Sequence, residues 1–287
     1  MNAVYKKELR SYFTNMTGWV FIAFILLVSG IFCAAMNFKS GYPNFEYSLS
    51  SVSFTFIFVI PILTMRALAE EKHQKTDQLL YSLPISVSEM VLGKYFAMLT
   101  VLAIPVGVMC IYPLLLSMFG TVYFAATYGA ILAFFLLGAA LIAVGLFMSA
   151  LTESQIIAAV ISMGVILMFY LMSGIASMIP STALASFICF TILILALAGI
   201  VYRMTKNSTV SYVTAIVLEA AITALYFIKR SIFAGSFSTV LRWLSLYERL
   251  DAFINGMFDL TAIVYYLSFI FIFVFLTVQS VEKRRWS

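Results

Sequence analysis

The sequence predicts an all-α polytopic membrane protein with about eight transmembrane helices, and three observations carry that prediction. The chain of 287 residues is 63% hydrophobic and 10% charged, against roughly 45–50% and 25% in soluble domains. Its 12 acidic and 17 basic residues are separated by long apolar runs, many near the ~20 residues a helix needs to cross a hydrocarbon core. In lipid, a helix satisfies its own backbone donors and acceptors, so these runs read as spans.

The first segment, residues 1–17, reads as an interfacial helix on the cytoplasmic leaflet. Val4, Tyr5, Leu9, Tyr12, Phe13 and Met16 fall on one helical stripe, with Lys6, Lys7 and Arg10 beside it, an arrangement that buries an apolar face and leaves cations near anionic lipid. Residues 18–287 then form the transmembrane domain. Its expected spans are 18–38, 48–65, 91–119, 123–151, 155–179, 183–202, 210–228 and 262–281, a six-span count following if the sixth and seventh form a re-entrant pair. The third and fourth exceed the needed length, and Pro105 and Pro113 predict bending in the third. The first run resembles a secretory signal in its flanks, but its apolar stretch exceeds the roughly 7–15 residues of such a signal. It is expected to remain as a span.

Basic residues set the orientation. With a cytoplasmic N-terminus and an even span count, Lys6, Lys7, Arg10, Arg66, Lys72, Lys75, Lys94, Arg203, Lys206, Lys283, Arg284 and Arg285 fall inside, and only Lys39, Lys229, Arg230, Arg242 and Arg249 fall outside. That bias matches the positive-inside rule, with both termini cytoplasmic. The same distribution gives the net charge of +5 a lipid rather than a nucleic-acid meaning, because the cations line membrane edges instead of one basic face. One histidine, His73, and three cysteines in apolar runs, Cys33, Cys110 and Cys189, supply neither a metal site nor a disulfide framework.

Two polar segments interrupt the spans. Residues 229–260 carry apolar side chains at helical spacing with Arg242, Glu248, Arg249 and Asp251 between them, and read as an external amphipathic segment that rests on the outer leaflet or closes the mouth of a pathway. Residues 66–94 hold the densest charge in the chain, with Arg66, Glu70, Glu71, Lys72, Lys75, Asp77, Glu89 and Lys94. Pro84 divides this stretch into a short helix, a turn and a second helix entering the membrane. An ordinary solvated loop fits these residues as well as a docking element does. Glu219, near the middle of the seventh expected span, is an ionisable group at a costly depth. It reads either as a hydrogen-bonded structural carboxyl near Ser211, Thr214, Thr223 and Tyr226 or as a proton relay.

The run from Ala69 to Pro84, with Glu70-Glu71, Thr76, Leu79-Leu80 and Pro84, followed by Gly93-Lys94, resembles the A-E-E-x-x-x-G-T-x-x-x-L-L-x-x-P…G-K signature of type-2 ABC transporter permeases. Lys75 stands where that signature has glycine. The opening run Lys6-Lys7-Glu8-Leu9-Arg10-Ser11-Tyr12-Phe13 and the closing residues from Glu248 to Trp286 are similar to those of gliding-motility-type and multicopper-enzyme-maturation-type permeases. The resemblance implies a permease subunit of an ATP-driven exporter in a prokaryotic cytoplasmic membrane. It makes residues 66–94 a cytoplasmic coupling helix between spans two and three, with Arg66, Glu70, Glu71, Thr76, Leu79, Leu80, Pro84, Gly93 and Lys94 facing an ATPase. It also implies a partner ATPase, in two copies with its own ATP and Mg, and a second permease copy or a related permease.

The chain itself holds no phosphate-binding loop: its only Gly-Lys pair, Gly93-Lys94, has Ser88 at the first glycine position and Tyr95 after it. No cofactor and no catalytic residue is expected in it. Glu70-Glu71 also resembles the acidic pair of prenyl-endopeptidase-like membrane proteases, but His73 is the only histidine available to such a site. An ion- or proton-coupled carrier working through Glu219 is the alternative function.

Overall fold

The computed structural model describes residues 1–75, 86–205 and 208–285. In chain order the helices are α1 (Asn2–Thr14), α2 (Thr17–Phe32), α3 (Phe45–Ser53), α4 (Phe56–Thr64), α5 (Ala69–His73), α6 (Val87–Met109), α7 (Tyr112–Leu116), α8 (Phe124–Leu151), α9 (Gln155–Met178), α10 (Ala183–Thr205), α11 (Ser208–Ile228), α12 (Arg230–Phe233), α13 (Ser236–Leu244), α14 (Leu246–Ile254) and α15 (Leu260–Arg285). A π-helical turn, Cys33–Lys39, extends α2. No strand occurs among the described residues. The protein is an all-α, multi-pass membrane protein.

Six of these helical stretches are long and apolar enough to cross a bilayer, namely Thr17–Lys39, Val87–Leu116, Phe124–Leu151, Gln155–Met178, Ser211–Ile228 and Leu260–Arg284. The second expected span is instead a broken pair, Phe45–Ser53 and Phe56–His73, bent by 57°, which makes a seventh if counted as one. The cause is local: the Ser53 and Thr55 hydroxyls donate to the carbonyls of Ser50 and Val52, drawing backbone acceptors away from the helical ladder. Pro61 lies within α4 and contributes no backbone donor there. The sixth expected span is represented by a shorter apolar stretch, Ala183–Gly199. In the third, the helix breaks at Cys110–Ile111, with Pro113 in the first turn of α7, while Pro105 stays inside α6.

The chain divides into two compact units, Met1–Tyr170 with Leu246–Ser287, and Leu171–Ser245. In the first, α8 is the central helix. Small residues make up nearly half of its sequence, 72% of its most apolar stretch is buried, and α3, α4, α6, α14 and α15 pack around it. Gly145 is what lets α4 come close, since a Cβ there would collide with the Thr64 side chain.

The N-terminal stripe forms a helix, but that helix ends at Thr14, and Met16 stands beyond it with a positive φ of 60°. Val4 and Tyr12 are buried, and α1 packs on α6. Similarly, Leu246, Tyr247, Leu250, Phe253 and Ile254 of α14 are buried, and that helix packs on α3 and α8. The apolar face of α14, within the amphipathic run 229–260, is therefore part of the protein core.

The second unit is built on the α10–α11 pair, with α12 and α13 packed on α10. Its centre is a set of rings: Phe187 and Tyr226 at 4.8 Å, Phe190 and Phe237 at 5.0 Å, and Tyr226 and Phe233 at 5.6 Å between centroids.

Candidate functional site

Where α1, the start of α6 and the α4–α5 junction meet, charged side chains converge from parts of the chain far apart in sequence. Lys94, only 2% exposed, donates through Nζ to Glu8 Oε1 at 2.9 Å and to Glu71 Oε1 at 2.8 Å. Lys7 stands at the rim, 3.7 Å from Glu71. One buried cation thus holds two carboxylates that would repel each other without it. Gly93 makes the approach possible: a Cβ on it would lie 3.1 Å from Val4, so a side chain there would push α1 away from α6.

A polar cleft of about 290 Å³ opens above this cluster, lined by Glu8, Tyr12, Arg66, Glu70, Glu71 and Lys94 among others. Tyr12 donates to the Leu63 carbonyl at 3.3 Å. Burial first, and then the carboxylates of Glu8, Glu71 and Glu70, push its phenol above the usual tyrosine range, so it stays a neutral donor. Arg66 is exposed and Glu70 half-buried. Glu70 accepts from Gln74 at 3.3 Å.

The far side of the cleft is anchored by the C-terminal end of α8. Ser149 Oγ accepts from the backbone N–H of both Leu68 and Ala69 at 3.1 Å, standing in for the side-chain cap that α5 lacks in its own sequence. Lys72 donates to the Ala150 carbonyl. After α5, Lys75 takes a φ of 56°, the left-handed conformation in which glycine is at home. The position that departs from the glycine of the signature keeps a glycine-like backbone. Ser86 caps α6, its Oγ accepting from the Glu89 N–H at 3.2 Å.

Of the sequence-derived site residues, Arg66, Glu70, Glu71, Gly93 and Lys94 therefore share one region. Their roles divide: Arg66 and Glu70 present themselves at the rim, whereas Gly93, Lys94 and Glu71 form the joint between α1, α5 and α6. Thr76, Leu79, Leu80 and Pro84 lie outside the described residues. Sequence reading gives Glu8 no role beyond its place in the opening run Lys6–Phe13. Its signal was an acidic residue one helical turn before Tyr12, on the same face of α1.

Glu219 lies in the second unit and takes its partner from the neighbouring helix, the Thr191 hydroxyl donating to Oε1 at 2.8 Å. Ser211, expected beside it, bonds instead to the Ala198 carbonyl at 2.7 Å. A second acid was missed. Glu46, on α3 in the first unit, is 3% exposed, its Oε1 in hydrogen-bond contact with Thr127 of α8 and its Oε2 buried with no partner among the described residues. The available clue was that helical spacing begins at Phe45, with Leu49 and Val52 following, so Glu46 belongs to the helix and not to the loop before it. Among the described residues no group of three or more His, Cys, Asp or Glu side chains is placed to hold a metal ion.

The family model described as ABC-2 family transporter protein matches residues 34–229, more than half of the chain. Comparison with curated proteins gives no match.

Proposed function

Because the chain belongs to the ABC-2 family of transporter proteins, we propose that this membrane permease is an exporter subunit driven by a separate ATPase that docks around residues 66–94. Partnership with an ABC ATPase is general to the family. The observation that carries the docking assignment is the cleft beside α5: Arg66 and Glu70 form an accessible rim, and Lys94 with Glu8 and Glu71 forms a rigid back wall. A push on the rim is thereby delivered to α1, α4 and α6 together. ATP and Mg belong to the partner, in two copies, serving this chain and a second permease.

The charged cleft defines the cytoplasmic face in this reading. The end of α15 meets the α8–α9 turn through an Arg284–Glu153 ion pair at 2.6 Å, which agrees with a cytoplasmic C-terminus and with the inward bias of lysine and arginine. The membrane is the prokaryotic cytoplasmic membrane. A carrier driven through Glu219 draws no support from the Thr191 bond, which gives that carboxyl a local helix-pairing role.

The test is co-purification from native membranes. An ATPase with a phosphate-binding loop is expected to accompany the tagged chain and to be lost, at least tenfold, from a Glu70→Lys, Arg66→Glu double variant that still inserts and folds. Unchanged recovery of the ATPase with that variant would overturn the docking assignment.

A further inference from the structure

A groove of about 490 Å³, larger than the charged cleft, lies where α1 packs on α6. Tyr5 of α1, Phe96, Leu99, Thr100 and Ala103 of α6 and Phe135 of α8 line it. Its polar side chains are few, Asn2 at the rim and the hydroxyls of Tyr5 and Thr100, which meet at 3.0 Å. Thr100 spends its single hydrogen on the Phe96 carbonyl at 2.9 Å, so the Tyr5 hydroxyl is the donor to Thr100. Both hydroxyls are thus satisfied within the protein, and what the groove offers an occupant is apolar wall.

The groove has the length of a lipid tail. One turn beyond Ala103 on α6 comes Gly107, where a Cβ would meet nothing within 4 Å, and Leu132, between Tyr128 and Phe135 on α8, is exposed. At the far end the Tyr128 hydroxyl donates to the Cys110 carbonyl at 3.2 Å and ties the two helices together. From Phe96 to Gly107 the rise is about 16 Å at 1.5 Å per residue. One leaflet of a hydrocarbon core about 30 Å thick supplies about 15 Å.

Charge specifies the head group. Lys6 stands one helical turn beyond Asn2, exposed and in no ion pair among the described residues. Glu89, two turns before Phe96 on α6, faces the Met1 ammonium at 3.7 Å instead. A cation on an interfacial helix draws anionic lipid. A second copy of the chain fits this face less well, because a two-fold contact across it would gather Lys6 and Arg10 of both copies along one edge.

We propose that this groove is a lipid-binding site: one acyl chain of an anionic phospholipid lies along α6 from Phe96 to Gly107, with its phosphate beside Lys6. Held there, the lipid fastens α1 to α6 from the membrane side, as the Lys94 joint fastens it from the cleft. The site requires α1 at a membrane surface and no ATPase, so it is independent of the docking reading.

The experiment places the full chain in phosphatidylcholine nanodiscs containing a trace of phosphatidylglycerol with a diazirine in one acyl chain, or of phosphatidylcholine bearing the same group. After illumination, labelled peptides are mapped by mass spectrometry, with labelling of the exposed α2 residues Val20 and Leu27 as the reference for general lipid contact and for an intact fold. Relative to α2, the phosphatidylglycerol probe is expected to label residues 96–107 about fivefold more than the phosphatidylcholine probe, the ratio that corresponds to about 1 kcal/mol for one cation at a charged surface. Lys6→Gln is expected to bring the two probes level. Ala103→Trp, which fills the groove from an exposed position, is expected to remove labelling of residues 96–107 by both probes while α2 stays labelled. Equal labelling by the two probes in the native chain, labelling unmoved by Ala103→Trp, or an absence of label together with a disulfide between two chains at Ala103→Cys, which would give the face to a second copy, would each overturn the site.

Discussion

Lys94 is joined to Glu71 across 2.8 Å although 23 residues separate them in the chain, and the same ammonium reaches Glu8 at the N-terminal helix. Removing it leaves two carboxylates facing each other in a nearly closed site. Lys94→Met is expected to lower stability by about 3–5 kcal/mol, seen as a fall in melting temperature of the solubilised protein, and to expose α1 to protease. A melting temperature equal to that of the native chain would refute the joint.

Tyr12 tests the same joint through pH. A phenol held above its usual range contributes stability that is complete below the ordinary tyrosine range and fades only as the pH climbs beyond it. Tyr12→Phe is therefore expected to cost about 1 kcal/mol, by a difference from the native chain that stays constant from about pH 6 to about pH 9. A difference that shrinks across that interval would contradict a neutral, hydrogen-bonded phenol.

Lys75 carries the left-handed backbone without the residue best suited to it. Lys75→Gly is expected to stabilise the end of α5 by about 0.5–1 kcal/mol, the gain from relieved strain exceeding the added freedom of the unfolded chain. Protection of Gln74 and its neighbours from amide exchange is the measurement. Faster exchange in the glycine variant would argue against strain at this turn.

Glu219 and Thr191 separate shape from titration. Glu219→Gln keeps an acceptor for the threonine hydroxyl and is expected to retain fold and ATP-driven function, whereas Glu219→Leu strands Thr191 at a cost of about 1–3 kcal/mol. Loss of transport in the glutamine variant, with assembly and ATP hydrolysis intact, would restore the proton-relay reading.

The spans were legible because lipid imposes a length and a polarity that composition records directly. Gln155–Met178 and Leu260–Arg285 follow their apolar runs closely. The break at Phe54–Thr55 was harder to read, since serine and threonine hydroxyls lower hydropathy only slightly while diverting backbone acceptors. Charge density marked residues 66–94 as the interesting surface, and Arg66 and Glu70 sit at an accessible rim. That Glu71 and Lys94 are fastened to Glu8 depends on a contact across 86 residues, which no local spacing encodes. Glu46 went unread for a related reason: its burial comes from α8 and not from its own segment.

Synthesis from the N-terminus gives the Lys94 joint a consequence in time. At about 5–20 residues per second, the 86 residues between Glu8 and Lys94 take roughly 4–17 s to add. Throughout that interval α1 has emerged while the cation and the helix it packs on do not yet exist. Until α6 arrives, α1 has only its smaller contacts with α2 and α4 to hold it, such as Phe13 on Trp19 and Tyr12 on the Leu63 carbonyl, and the rest of its apolar stripe lies on the bilayer surface, tethered by Lys6, Lys7 and Arg10.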